Sequence, residues 1–189
     1  MFLILLMVFI ISGCNGSSNV NEVDETIYNY FSNKDFAYKY PSEWVTTTHN
    51  QYLIDYENIY GDLYSSGAMT EGEKETSFGI LALDLSSYTS YISESDLIDM
   101  KDSFKTSFEN NTYSAKIVEE SYLTINNRQA IKVVYEYFDP EANDTLKFDV
   151  IFSYKGLNVY LIIYGSKKSN YNQNLGIFTE MKDSIELYY

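Results

Sequence analysis

An α+β fold, one antiparallel β-sheet flanked by helices, is what this chain predicts, and three observations predict it. Between Lys116 and Tyr164 four segments follow one another through short turns, and three of them alternate apolar and more polar residues, the pattern of an antiparallel meander. At Ser93–Asn110 and again from Leu175 to Tyr188 the apolar period changes from two residues to that of a helix. The 20 tyrosines and 11 phenylalanines fall mostly inside the alternating segments, where they supply packing area and leave hydroxyls at sheet margins, in preference to forming a glycan-stacking cluster.

Met1 is followed by an unbroken apolar run, Phe2 to Ile11, that stops at Ile11-Ser12-Gly13-Cys14. The run is too short to span a bilayer, and Gly13 followed by the only cysteine is the arrangement of a lipoprotein signal with its lipobox. Residues 1–13 are therefore expected to be the signal peptide and Cys14 the lipidated residue, although no Lys or Arg precedes the run. Acyl burial is worth roughly 0.8 kcal/mol per CH₂, so the two chains of a diacylated cysteine hold where one is reversible. Residues 14–25, rich in Asn, Ser, Gly and acid, read as a flexible tether, and residues 26–189 as one domain.

Within the domain, Thr26 to Phe31 suits a strand or a short helix. Phe36-Ala37-Tyr38-Lys39-Tyr40 is a short alternating strand that meets a stop at Pro41, after which Trp44, the only tryptophan, plugs the core edge. Tyr52–Tyr56 and Phe78–Leu85 read as strands, with Glu57–Thr76 as a polar excursion between them. The first helix carries Leu97, Met100, Lys101, Phe104 and Phe108 on one face, behind capping residues Ser93, Ser95 and Asp96. The meander runs Lys116–Ile125, a turn at Asn126-Asn127, Arg128–Phe138, a loop Asp139–Asp144, Thr145–Tyr154, a turn at Lys155-Gly156, then Leu157–Tyr164. Ile131/Val133/Tyr135/Tyr137, Leu146/Phe148/Val150/Phe152 and Leu157/Val159/Leu161/Ile163 form the packed face, and the other face is expected to be wetter. Leu175, Phe178, Met181, Ile185 and Tyr188 form the apolar stripe of the second helix.

Composition excludes several functions. Against 13 Lys+Arg stand 27 Asp+Glu, a net charge of −14, so a nucleic acid is repelled and anionic headgroups hold the domain off the membrane surface. With Cys14 acylated no thiol remains for a disulfide or a cysteine metal site. There is no Gly-x-Ser-x-Gly elbow, no phosphate-cradling glycine loop and no His-Glu-x-x-His. Any triad would have to use His49, the one histidine, which sits in a Thr/Asn-rich segment suited to a solvated residue. Asp139, Glu141, Asn143 and Asp144 resemble the start of a calcium loop. The pattern then fails, since Asp144 occupies the glycine position and Val150 the place of the bidentate Glu. A polar hairpin loop accounts for them better, and Glu71-Gly72-Glu73-Lys74-Glu75 likewise reads as a solvated loop. Asn15-Gly16-Ser17, Asn110-Asn111-Thr112 and Asn143-Asp144-Thr145 match the glycosylation triplet.

The order strand, Phe-x-x-x-Tyr-Pro-x-x-Trp (Phe36 to Trp44), excursion, strand, helix, meander with Leu123-Thr124-Ile125-Asn126-Asn127-Arg128-Gln129-Ala130, and closing helix Phe178 to Ile185 resembles the PsbP/Mog1-like proteins, in particular the small PsbP-related lipoproteins of prokaryotes. The likeness covers nearly all of the chain beyond the tether. It implies an α/β/α sandwich and an accessory or binding role rather than catalysis; members of the family assist photosystem II or bind a small GTPase. The expectation is a lipid-anchored, extracytoplasmic, non-catalytic protein without a cofactor, held to the cell membrane through Cys14 and acting on a membrane or envelope protein. The alternatives are a cell-surface module for a small ligand or divalent cation and, behind it, a hydrolase.

Overall fold

A computed structural model describes residues 27–53, 63–72, 76–111, 115–140 and 143–188. The expected signal peptide, Cys14 and the expected tether lie outside the described residues. Seven strands form the main sheet: β3 (Val45–Leu53), β4 (Leu63–Gly72), β5 (Thr76–Asp84), β6 (Lys116–Ile125), β7 (Arg128–Asp139), β8 (Asp144–Lys155) and β9 (Asn158–Lys167). Their order is β3-β4-β5-β9-β8-β7-β6, every pairing antiparallel. A second sheet, β1-β2-β10, is built from β1 (Tyr28–Ser32), β2 (Phe36–Pro41) and β10 (Glu186–Leu187). The helices are α1 (Glu94–Asn111), a single turn α2 (Lys168–Tyr171) and α3 (Leu175–Asp183).

The meander forms where its turns allow. Asn126 and Asn127 both adopt positive φ, 49° and 61°, as a two-residue hairpin requires, and Gly156 does so at 62°. The alternating sets assigned to the packed face, Leu157 at its margin, do enclose one core together with Leu97, Phe104 and Phe108 of α1. That core is aromatic: the Phe108 ring meets Tyr135 edge-on at 4.6 Å and Phe148 at 5.2 Å. Ser93 caps α1 reciprocally with Asp96: the Asp96 N–H donates to Ser93 Oγ (3.3 Å) and the Ser93 N–H to Asp96 Oδ2 (2.7 Å). Lys101, on the apolar face as read, is buried there, its ammonium 2.8 Å from both Asp102 and Glu120.

Four expectations are corrected. The excursion Glu57–Thr76 contains strand β4 and ends at the first residue of β5; residues 57–62 and 73–75 lie outside the described part. Glu71 and Gly72 accordingly belong to a strand rather than a solvated loop, with Gly72 directly against the Trp44 ring. The far side of the sheet is not the wetter one: Phe78, Ile80, Ile151, Tyr160, Ile162 and Tyr164 form a second core with Phe36, Tyr38, Trp44, Phe178 and Met181. The closing helix stops at Asp183, where Ser184 turns back with its Oγ on Met181 O (2.6 Å) and accepts the Lys39 N–H (2.8 Å). Ile185 still enters the second core, whereas Tyr188 follows β10 outside the helix. Trp44 is buried at the edge of that core, as its position after Pro41 predicts. The layers are thus α1, the large sheet, and a third layer combining α2, α3 and the small sheet.

Candidate functional site: a tyrosine-lined sheet face

The small sheet turns Phe36, Tyr38 and Leu187 inward, so the alternate residues Ala37, Lys39, Pro41 and Glu186 point away from the core, as do Tyr28, Tyr30 and Ser32 opposite them. Ala37 and Pro41 are nonetheless buried. The two tyrosines of β1 account for that by reaching across β2. The Tyr28 hydroxyl donates to Glu180 Oε2 of α3 in a short hydrogen bond, and the Tyr30 hydroxyl is hydrogen-bonded to Tyr188 just beyond β10. Tyr188 in turn donates to Glu186 Oε2 (3.3 Å). Two aromatic rings therefore lie over β2, each with a carboxylate at its phenol end, and Tyr30 is still 53% exposed. The hydrogen bond to Tyr188, then burial, then the charges of Tyr188 and Glu186 push the Tyr30 hydroxyl up to about 12.

β10 holds Glu186 in place because Asn126 clamps the strand. The Asn126 side chain donates to Ile185 O (2.6 Å) and accepts the Leu187 N–H (2.7 Å), so the hairpin turn of the large sheet fixes the third strand of the small one. The buried Tyr160 hydroxyl adds a hydrogen bond to Asp35 O (3.1 Å).

A second polar cluster lies on the large sheet, where β6, β7 and β8 meet α2. Glu136, 5% exposed, takes the ammonium groups of Lys168 (2.9 Å) and Lys116 (3.2 Å). Burial alone would raise its carboxyl, but these two lysines outweigh burial and hold it below the ordinary range. Asp149, 2% exposed, accepts a short hydrogen bond from the Tyr171 hydroxyl, with Lys132 4.0 Å away and Lys147 over the Tyr171 ring. Here burial prevails and raises the carboxyl, in spite of Tyr171 and Lys132. Glu119 completes the set at 2.9 Å from Lys132. These groups serve one another and seat α2 on the sheet; with Asp149 covered by Tyr171, the arrangement serves packing rather than substrate.

The residues singled out from sequence are spread apart. His49 lies on β3, its backbone opposite Gly67. Asp139 and Asp144 face each other at the base of the β7–β8 hairpin, Asn143 takes a positive φ of 50° in the turn, and Glu141 lies outside the described residues. Asp144 is used locally: one oxygen accepts the Thr145 N–H (2.7 Å) and the other is 3.6 Å from Lys167. Among the described residues no three His, Cys, Asp or Glu side chains converge as a metal shell. Of the glycosylation triplets, Asn110 and Asn111 end α1 and Asn143–Thr145 sits in the hairpin. No helix among the described residues is long and apolar enough to cross a membrane.

The sequence profile of a family described as PsbP-like protein matches residues 12–185. No curated protein sequence matches the chain. Among solved structures, the cyanobacterial PsbP (CyanoP) of Synechocystis sp. PCC 6803 is similar at a TM-score of 0.56 and 12% identity, over 90% of this chain and 98% of that one. A Pseudomonas aeruginosa protein of unknown function, PA94, described as a putative regulator, follows at 0.50 and 10% identity, over 83% and 94%. LpqN of Mycobacterium tuberculosis, described as involved in cell envelope biogenesis, gives 0.44 and 10%, over 90% and 89%.

Proposed function

The chain belongs to the PsbP-like family, and on that premise we propose that it is a lipid-anchored, extracytoplasmic accessory protein that binds a membrane or envelope protein without catalysing a reaction. One observation carries the reading: the sole cysteine, Cys14, closes a signal-like apolar run, and the chain that follows enters the domain at the tyrosine-lined sheet. About 12 residues of tether at roughly 5–6 Å × √n span on the order of 20 Å, enough to keep β1 near the bilayer while the net charge of −14 holds it off the headgroups. The recognition surface of such a protein has to lie within reach of a membrane partner, and the face carrying Tyr28, Tyr30 and Tyr188 meets that condition.

The test is a comparison of the anchored protein with Cys14→Ser. The parent is expected in the detergent-rich phase on phase partition, with a partner protein co-isolated from the membrane fraction; the variant is expected in the aqueous phase without it. Aqueous partition of both proteins, or an unchanged partner with the variant, contradicts the reading.

A further inference from the structure

The outer edge of β1, like that of β3, carries no charged residue, proline or bulge, and so differs from the edge of β6. Ile27 O accepts the Ser42 N–H (2.8 Å) and Phe36 O the Asn33 N–H (3.0 Å), which fixes residues 27, 29, 31 and 33 as those that exchange hydrogen bonds with β2. Tyr30 and Ser32 then direct their backbone N–H and C=O groups away from β2. No strand covers that side among the described residues. An edge of this kind is ordinarily blunted. β6 is blunted by a bulge between Ile117 and Glu119 and by Lys116, Glu119 and Glu120, whereas β1, Tyr-Asn-Tyr-Phe-Ser, carries no charge, proline or bulge.

We propose that β1 receives an extended segment of the membrane partner as a fourth strand, and that this segment carries Lys or Arg at alternate positions seated over Tyr28 and Tyr30. The inference rests on the accessory reading above and names its surface. Tyr28 and Tyr30 are two residues apart, so their rings repeat at about 7 Å along the strand, the repeat of alternate side chains on any strand laid beside it. The Tyr30 ring, 53% exposed, offers a π face for a cation, and a carboxylate lies beyond each phenol, Glu180 for Tyr28 and Glu186 for Tyr30, to complete the charge. Main-chain hydrogen bonds to Tyr30 and Ser32 give affinity, and the alternate cations give the choice of partner. Charge complementarity rejects the occupants nearest at hand. Residues 15–26 of this chain hold Glu22, Asp24 and Glu25 and no Lys or Arg, and a second copy brings another −14. Lys39 stands on β2 directly opposite Tyr30, away from the open edge.

The experiment titrates the full mature chain with three synthetic nine-residue peptides alternating Thr with Lys, with Glu or with Ser, following backbone amides by NMR. The expected result is saturable shifts at the Tyr30 and Ser32 amides with the Lys peptide alone. Binding should weaken at least about tenfold in Tyr30→Lys and in Glu186→Lys, and less than about twofold in Tyr122→Lys on β6. Unchanged remaining amide resonances establish that each variant is folded. Shifts centred on β6, equal binding of the Glu or Ser peptide, a peptide-free dimer through β1, binding of a neutral glycan to the Tyr30 ring in place of the peptide, or no binding at all would each overturn the proposal. Co-isolation of a partner that Tyr30→Lys leaves intact would overturn the surface while leaving the accessory reading standing.

Discussion

Gly72→Ala tests the packing that joins the two sheets, and its size can be worked from one contact. A Cβ built on Gly72 falls 2.0 Å from Trp44 Cε2, 2.4 Å from Nε1 and 2.5 Å from Cδ2. Carbon atoms pack at about 3.5–4.0 Å, so the indole has to retreat by roughly 1.5 Å, and it is a rigid ring set in the second core rather than the end of a flexible chain. Overpacking that the core absorbs costs about 1–3 kcal/mol. Complete expulsion of the ring forfeits its burial, about 150–250 Å² at about 25 cal/mol/Å², an upper bound of about 4–6 kcal/mol. A loss of about 2–4 kcal/mol is expected in urea unfolding, with a red-shifted emission that reports this site alone because Trp44 is the only tryptophan. In a Trp44→Ala background the same change should cost less than about 0.5 kcal/mol, the non-additivity of two groups in direct contact. Equal cost in both backgrounds, or an unaltered emission and midpoint, would refute the reasoning.

Three further outcomes follow from the polar clusters. Glu136→Gln should cost about 1–3 kcal/mol near neutrality, because it weakens two charge-assisted hydrogen bonds to a buried group. The folded carboxyl is held below its unfolded value of about 4.3, so its contribution is present above that value and lost as pH falls through the folded one; the gap between parent and variant in urea melts should close on acidification. Asp149 has the opposite sign: its folded carboxyl is raised by burial, so stability falls as pH climbs from the unfolded value through the folded one. Asp149→Asn, which keeps an acceptor for Tyr171, should therefore lose ground to the parent as the solution is acidified from neutrality, measured by the same melts. Asn126→Gly preserves the positive φ but deletes both clamps on β10. It should accelerate hydrogen exchange at the Leu187 amide and bring the Tyr30 hydroxyl from about 12 down toward the ordinary 10 in an NMR titration.

The meander and α1 were legible because local chemistry and burial agree there: paired asparagines at positive φ, a reciprocal Ser93–Asp96 cap, and alternation that maps onto a single core. β4 was not, since Leu-Tyr-Ser-Ser-Gly-Ala-Met-Thr-Glu-Gly has little pattern of its own and is a strand through pairing with β3 and β5 on both sides. The second core was hidden by tyrosine: Tyr160 and Tyr164 read as polar partners of an alternating strand, yet they are fully buried. The closing helix was overdrawn because Ile185 keeps helical spacing with Phe178 and Met181 although Ser184 has already ended the helix. The sheet face with Tyr28, Tyr30 and Tyr188 combines residues from both ends of the domain, and no spacing within one segment could reveal it. Aromatic content alone signalled tyrosines at sheet margins, without saying which.

The central claim is that an anchored domain meets a membrane partner through β1. It is tested most directly by replacing Tyr30 with a photo-crosslinking phenylalanine analogue in the full chain on intact cells, with the same analogue at Tyr122 and a Cys14→Ser form beside it. The account expects one membrane or envelope protein joined at position 30 through a Lys/Arg-bearing peptide, absent from position 122 and lost with Cys14→Ser. Crosslinks at position 122 alone, or an adduct at position 30 that survives the loss of Cys14, would contradict it.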